Sequence, residues 1–201
     1  MAYGYDDGNK PIAVAALGES NTFTGPIEFS STTASTSTST GAVVIKGGLG
    51  VQGNIYGSKV WGAVWNDLAD CIDVPDDTDL EFGRCYCFDG HKYYKSSKYL
   101  DDGIIGVHSD TAGFCMGRRN DVKQAHIGVA GFILCYVDEE YPVGTPLTCT
   151  ENGMLTKLKN EDISKNPHKI VGTFWKKEAA EKWGPVGKEV LIDGRMWVKV
   201  R

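Results

Sequence analysis

The sequence predicts a mainly β protein in three parts: an N-terminal anchor arm, a short interchain β stem, and a C-terminal antiparallel β domain with one short helix. Three observations point there. Asp89-Gly90, Asp102-Gly103, Asn152-Gly153 and Asp193-Gly194 lie beside apolar runs, and such dipeptides tolerate the positive φ angles of hairpin turns. Glycine reaches 25 of 201 residues, and residues 30–40 contain only Ser, Thr and Ala, a composition of turns and extended chain. In residues 43–55 the apolar side chains fall mostly at odd positions and most even positions are small or polar, and no second apolar run lies close by to cover them.

Taken in order, residues 1–29 show little periodicity. Tyr3, Tyr5 and the Pro11–Leu17 run suit docking onto another protein, and a loose leader is the plainer alternative. Residues 30–59 join a Ser/Thr-rich linker to a glycine-rich stem. Thr32, Thr36, Thr38 and Thr40 share one face if extended, so a stem piece and a flexible tether both stay open. From Val43 the odd positions read Val43, Ile45, Leu49, Val51 and Ile55. A lone one-sided strand is not stable in water, so its apolar face is expected to meet the same strand of sister chains, with glycines where backbones approach. Residues 60–201 form the cap. A strand is expected to about Val64, then a short helix or turn, since Trp61, Trp65, Leu68 and Ile72 fall at helical spacing. Seven acids and no base between Asp67 and Glu81 read as a solvated loop. The hairpins FGRCYCF-DG-HKYYKS, PLTCTE-NG-MLTKL and EVLI-DG-RMWVKV follow, with IIGVHS and HIGVAGFILCYV as buried strands. The helix is placed in FWKKEAAEKW (174–183), where Trp175, Ala179 and Trp183 share a face and Gly184-Pro185 stops it.

The net charge of −5 gives no reason to expect nucleic acid as a partner. No apolar run approaches the ~20 residues that cross a bilayer, so no membrane partner is expected. The first residues lack the basic start of a secretory signal, which suits assembly in a host cytoplasm. Without such a signal, Cys71, Cys85, Cys87, Cys115, Cys135 and Cys149 are expected reduced and structural. Their spacing lacks a zinc pattern, so no metal and no cofactor are expected.

Asp67, Asp70 and Asp73 recur every three residues, a spacing that would couple carboxylates on a helical turn for acid–base work or a hard cation; a solvated acidic turn is the plainer alternative. His108, Cys115 and His126 offer a thiol–imidazole pair only if the fold brings them together. Arg118, Arg119 and Lys123 form a small basic cluster, for a phosphate or for surface ion pairs. Tyr93, Tyr94 and Tyr99 form a candidate glycan platform, though Tyr is also a good strand residue.

The run STSTGAVVIKGGLGVQGNIYG resembles a segment of phage tail-fibre and collar-appendage proteins, in which Thr-Gly-Ala, an apolar pair, Gly-Gly and a Gly-Val-x-Gly-Asn-Ile/Leu-Tyr run precede a C-terminal domain. The following WNDLADCIDVPDDTDLEFGRCYCFDG and KYLDDGIIGVHSDTAGFCMG resemble the opening of the C-terminal chaperone domain of pre-neck appendage proteins of short-tailed phages. The resemblance spans roughly residues 40–160. It implies a homotrimeric virion fibre with an interchain β stem and a β-rich cap that helps the trimer assemble. Some members cut themselves at a Ser-Asp bond using nearby acids. Mapped here that bond is Asn66-Asp67, with Asp67 and Asp70 in the acidic positions, but Asn66, Leu68 and Asp70 stand where the pattern has Ser, Tyr and Glu.

The expectation is therefore a non-enzymatic structural phage virion protein: a trimeric fibre, spike or appendage on head or tail, located in the virion. Its arm would join another virion protein (capsid, collar or tail). The alternatives are an intramolecular chaperone or autoproteolytic module cutting near Asn66-Asp67, and a knob that binds a host glycan or receptor.

Overall fold

The computed structural model of the chain describes residues 3–5, 11–13, 24–57, 66–184, 186–187 and 189–200. The chain divides into two units, Met1–Lys59 and Val60–Arg201. In the first, β1 (Tyr3–Tyr5) and β2 (Pro11–Ala13) pair antiparallel, Tyr3 opposite Ala13. Residues 24–57 contain no strand. Within the Ser/Thr tract the side chains bond their own backbone: Thr36 N–H and Ser37 N–H both donate to Thr40 Oγ1, at 2.9 and 3.0 Å. Ser and Thr compete for backbone groups this way, and the result is a local turn instead of an extended stem piece.

The second unit is mainly β. Its strands are β3 (Asp67–Asp73), β4 (Cys85–Phe88), β5 (Tyr93–Lys95), β6 (Ile104–Val107), β7 (Ala112–Met116), β8 (Gln124–Cys135), β9 (Pro146–Cys149), β10 (Leu155–Lys157), β11 (Gly172–Lys177), β12 (Lys182–Trp183), β13 (Val190–Leu191) and β14 (Met196–Val200). Helix α1 (Asn160–Ile163) is a single turn. A seven-stranded sheet runs β10-β9-β11-β14-β8-β3-β7, a three-stranded sheet β5-β4-β6, and β12 pairs β13. Neighbours are antiparallel except β3 and β7, which run parallel.

Alternation along β8 and β14 sends side chains to two cores. Ile133, Cys135, Met196, Val198 and Val200 join Cys85, Val107, Leu147, Cys149, Leu155 and Phe174 in the main core, which places β4 and β6 against one face of the large sheet. Leu134 and Trp197 face the other way and pack with Ile192, Phe132, Trp183 and Val190. A third cluster joins Val74, Ala125 and Ile127 to Ile72, Leu80, Tyr93 and Ile105.

The Asp89-Gly90 hairpin forms, with Phe88 opposite Tyr93, and so does the Asn152-Gly153 hairpin, with Cys149 opposite Leu155. Asn152 and Gly153 take φ of 56° and 68°, the left-handed region that these residues were expected to supply.

Three expectations are corrected. The helix over 174–183 is absent: Gly172–Lys177 is a strand between β9 and β14, and Lys182–Trp183 pairs with Val190–Leu191. Trp175 instead lies against Phe132 (ring centroids 5.3 Å) and Trp183 against Trp197 (5.1 Å); tertiary pairing overrides a local helical spacing. The helix or turn near residue 68 is the strand β3, flanked by β7 and β8. The 60–64 stretch lies outside the described residues. Asp193-Gly194 is a tight turn, Arg195 N–H donating to Ile192 O at 2.8 Å, but its flanks join different sheets, so no hairpin forms.

Candidate functional site

The most unusual chemistry of the described residues gathers where β3 begins. Strand alternation buries Asp67, 7 % exposed, on the same face as Ala69 and Cys71. Its Oδ1 accepts hydrogen bonds from Thr111 Oγ1 at 2.7 Å and Ser109 Oγ at 3.1 Å. Thr111 N–H in turn donates to Ser109 Oγ at 3.0 Å, fixing that hydroxyl. Oδ2 is buried with no hydrogen-bond partner. Burial pushes the Asp67 carboxyl up to about 6, against the pull of the two hydroxyls. The cause is desolvation, which penalises the charged form.

Two neighbours complete the site. Arg195 is 4 % exposed and grips Asp110 with two bonds, Nη1 to Oδ1 at 2.8 Å and Nη2 to Oδ2 at 2.9 Å. It also donates to the carbonyls of Leu191 and Ile192, so a buried cation is paired and four of its five N–H groups are engaged. His108, 5 % exposed, lies against Phe82 at 4.5 Å between ring centroids, with Tyr86 at 6.2 Å and His126 at 6.0 Å. Its Nδ1 has no partner. Burial, helped by His126, pushes the imidazole down to about 4.

Glycines make room for this arrangement. A Cβ on Gly131, whose φ is +114°, would collide with Asn66 O and lie 2.8 Å from Asp67 Cα. A Cβ on Gly128 would meet Ile133 Cδ1 and stand 3.4 Å from Asp67 Oδ2.

The Asn66-Asp67 bond is held in the ladder, Asn66 N–H donating to Thr111 O (3.1 Å) and Phe132 N–H to Asn66 O (3.2 Å). Asp70 is exposed and faces the other way, beside Gly117. Asp73 is exposed too and pairs with Arg119 at 3.0 Å. On a strand the three-residue spacing divides carboxylates between faces, so Asp67 and Asp70 do not converge. What the site can do chemically is hold or release one proton at Asp67 near pH 6.

The other sequence candidates separate in the fold. Val43, Ile45, Leu49, Val51 and Ile55 are 47, 48, 68, 45 and 71 % exposed. Tyr93 and Tyr94 line one side of a cleft of about 370 Å³ with Asp77, Thr78, Asp79 and Lys95. Tyr99 is elsewhere: its hydroxyl donates to Asp162 Oδ2 at 2.9 Å and accepts from Lys159 N–H at 3.0 Å. Cys115 neighbours Cys71, whose thiol is pushed up to about 11 by burial and by that contact; the imidazoles are not its partners. Arg119 is spent on Asp73 and Asp121, and Lys123 on the carbonyls of Asp76 and Thr78. All six cysteines are free. Among the described residues no group of three or more His, Cys, Asp or Glu is placed to hold a metal ion, and no helix is long and apolar enough to cross a membrane.

Sequence reasoning missed Ser109 and Thr111 as partners of Asp67 and the Asp110–Arg195 pair. Separations of 42, 44 and 85 residues hid them. A Ser-Asp-Thr run beside a buried-strand pattern was the available signal.

No family model and no curated protein matches the chain. Among solved structures it is similar to the pre-mature gene product 12 of bacteriophage phi29, a crystal structure, with a TM-score of 0.46 and 18 % sequence identity. The likeness covers 75 % of this chain and 23 % of that one, so this chain spans about a quarter of that protein's length.

Proposed function

We propose that this chain is a structural, non-enzymatic protein of a phage virion: a homotrimeric fibre, spike or appendage that serves host attachment. Residues 1–29 join it to another virion protein, residues 41–57 register three copies, and residues 60–201 form the cap. One observation carries this most. Val43, Ile45, Leu49, Val51 and Ile55 alternate along the chain and are 45 % exposed or more in a single copy. Apolar side chains at alternate positions that stay this exposed suit burial against the same segment of sister chains. The resemblance of STSTGAVVIKGGLGVQGNIYG to appendage stems supports the same arrangement. Sedimentation velocity on the full chain is the test. A species of three chains is expected, and a monomer at micromolar concentration would refute the architecture.

A second use of the cap, glycan or receptor binding, has its own support. The cleft beside Tyr93 and Tyr94 combines aromatic rings with carboxylates, the mixture that stacks on a sugar face and holds its hydroxyls. Burial pushes the Tyr94 hydroxyl, ordinarily protonated at neutral pH, further up to about 12. Binding on a glycan array that Tyr94→Ala abolishes and Tyr99→Phe leaves intact is the expected result. Silence of the parent protein across the array at high concentration would remove this reading.

A further inference from the structure

Three of the buried cysteines meet across the main core. Cys85 and Cys87 alternate with Tyr86 on β4 and so point the same way, and Cys149 reaches in from β9. All three are 0 % exposed. Cys85 and Cys149 belong to one packed cluster; the Cys149 thiol donates to Lys98 O at 3.9 Å and has the Cys85 and Cys87 thiols beside it. The backbones around them are tied together: Ser96 N–H donates to Cys85 O at 3.0 Å, Ser96 Oγ to Thr150 O at 2.6 Å, and Leu100 N–H to Cys149 O at 3.2 Å.

We propose that Cys149 forms a disulfide with Cys85 or Cys87 when the protein meets a peroxide-class oxidant, stapling β4 of the small sheet to β9 of the large one. Geometry selects the pairing. Two residues apart on a strand rising about 3.3 Å per residue, Cys85 and Cys87 lie at the limit of the span that a disulfide bridges and point in parallel. Cys149 faces both. Cys135 is turned aside, its Sγ–H donating to Ile133 O at 3.6 Å. Cys149 is common to both possible pairs, and the sulfur oxidised first is the one that opening of the core exposes.

The step balances with one hydrogen peroxide. The thiolate of one member of the pair attacks one oxygen, the O–O bond breaks, and hydroxide leaves and takes up the proton that thiol lost, giving water and a sulfenic acid. The thiol of the other member then attacks that sulfur. An S–S bond forms, the S–O bond breaks, and a second water leaves. Because the trio is fully buried, the rate follows local opening of the core. The staple closes a loop of roughly 60 residues, long enough to restrict the unfolded chain strongly.

The test uses the full chain carrying Cys115→Ser, which removes the partly exposed thiol. After hydrogen peroxide and catalase, free thiols titrated in denaturant are expected to fall from five to three. A tryptic peptide holding Cys85 and Cys87 should be joined to one holding Cys149, lighter by two hydrogens. The midpoint of thermal unfolding should rise by several degrees and return with dithiothreitol. Adding Cys149→Ser abolishes the loss of thiols, and adding Cys135→Ser does not. Should Cys149→Ser fail to fold, the single variants Cys85→Ser and Cys87→Ser carry the test, since each keeps a partner and each still loses two thiols, whereas the double variant loses none. Five thiols surviving where hydrogen exchange shows the core opening would overturn the proposal. So would a joined pair lacking Cys149, or a joint between chains.

Discussion

The Asp67→Asn substitution is expected to raise stability at neutral pH and to expose a pH dependence that the parent protein masks. In the folded chain Asp67 keeps its proton to about pH 6, against 3.8 for an ordinary Asp. As pH rises through that window the unfolded carboxyl ionises freely and the folded one does not, so stability falls. At about 1.4 kcal/mol per pKa unit the loss is roughly 3 kcal/mol, complete above pH 6. His108 works the opposite way. Its folded pKa is about 4 against 6.5, so as pH falls through that window only the unfolded imidazole gains a proton. Stability is lost on the acid side, again by roughly 3 kcal/mol. The two windows overlap and the two slopes oppose, so together they leave the parent nearly flat between pH 4 and 6.5. In Asp67→Asn the amide oxygen still accepts from Ser109 and Thr111, and the ionisation penalty is gone. The gain at pH 7.5 is about 1–3 kcal/mol, the lower figure allowing for an unpaired amide N–H in place of the unpaired Oδ2. The His108 slope then stands alone, and stability rises with pH. In His108→Phe, which keeps the ring against Phe82, the Asp67 slope stands alone and stability falls with pH. Urea unfolding at half-unit steps from pH 4 to 7.5 reads both. Carboxylates held low elsewhere, such as Asp101, which against its burial accepts from the N–H groups of Ser97 and Asp102, cancel in the differences between variants. Parallel pH profiles for the parent and both variants would refute the reasoning.

Three further outcomes are expected. Arg195→Met leaves Asp110, whose side chain is only 14 % exposed, unpaired and should cost about 3–5 kcal/mol in urea unfolding; a loss under about 1 kcal/mol would show that the pair is solvated. Gly131→Ala forces a methyl onto Asn66 O at a φ of +114° and should cost more than about 3 kcal/mol, while Gly90→Ala, with open space around its Cβ but a φ of +93°, should cost about 1 kcal/mol; circular dichroism melts compare them. In the proposed trimer, Leu49→Asp or Ile55→Asp would bury an unpaired charge beside two copies of itself and should shift the sedimentation profile toward monomer, with the urea midpoint of the β-rich second unit unchanged.

The hairpins at Asp89-Gly90 and Asn152-Gly153 and the strands at Ile104–Val107 and Gln124–Cys135 were legible because each is specified within a dozen residues, by turn chemistry and apolar runs. What was misread depended on partners distant in sequence. Trp175, Ala179 and Trp183 do fall at helical spacing, but β14 and β9 offer Gly172–Lys177 two ladders, and the tryptophans find rings on β8 and β14. The same holds for the site. Asp67 was singled out for its spacing to Asp70, which the strand sends to the other face. Its actual partners Ser109 and Thr111 arrive only because β7 runs parallel beside β3, a pairing between segments some 40 residues apart that no local pattern announces.

The position of β14 has a consequence for biosynthesis. In the large sheet it separates β10-β9-β11 from β8-β3-β7 and is hydrogen-bonded to both, yet of the seven strands it leaves the ribosome last. Until residues 196–200 clear the exit tunnel the sheet consists of two halves with a gap between them, their inward edges open to any extended chain. The large sheet therefore closes after translation of β14, and on a polysome the neighbouring nascent copies carry the same open edges at high local concentration.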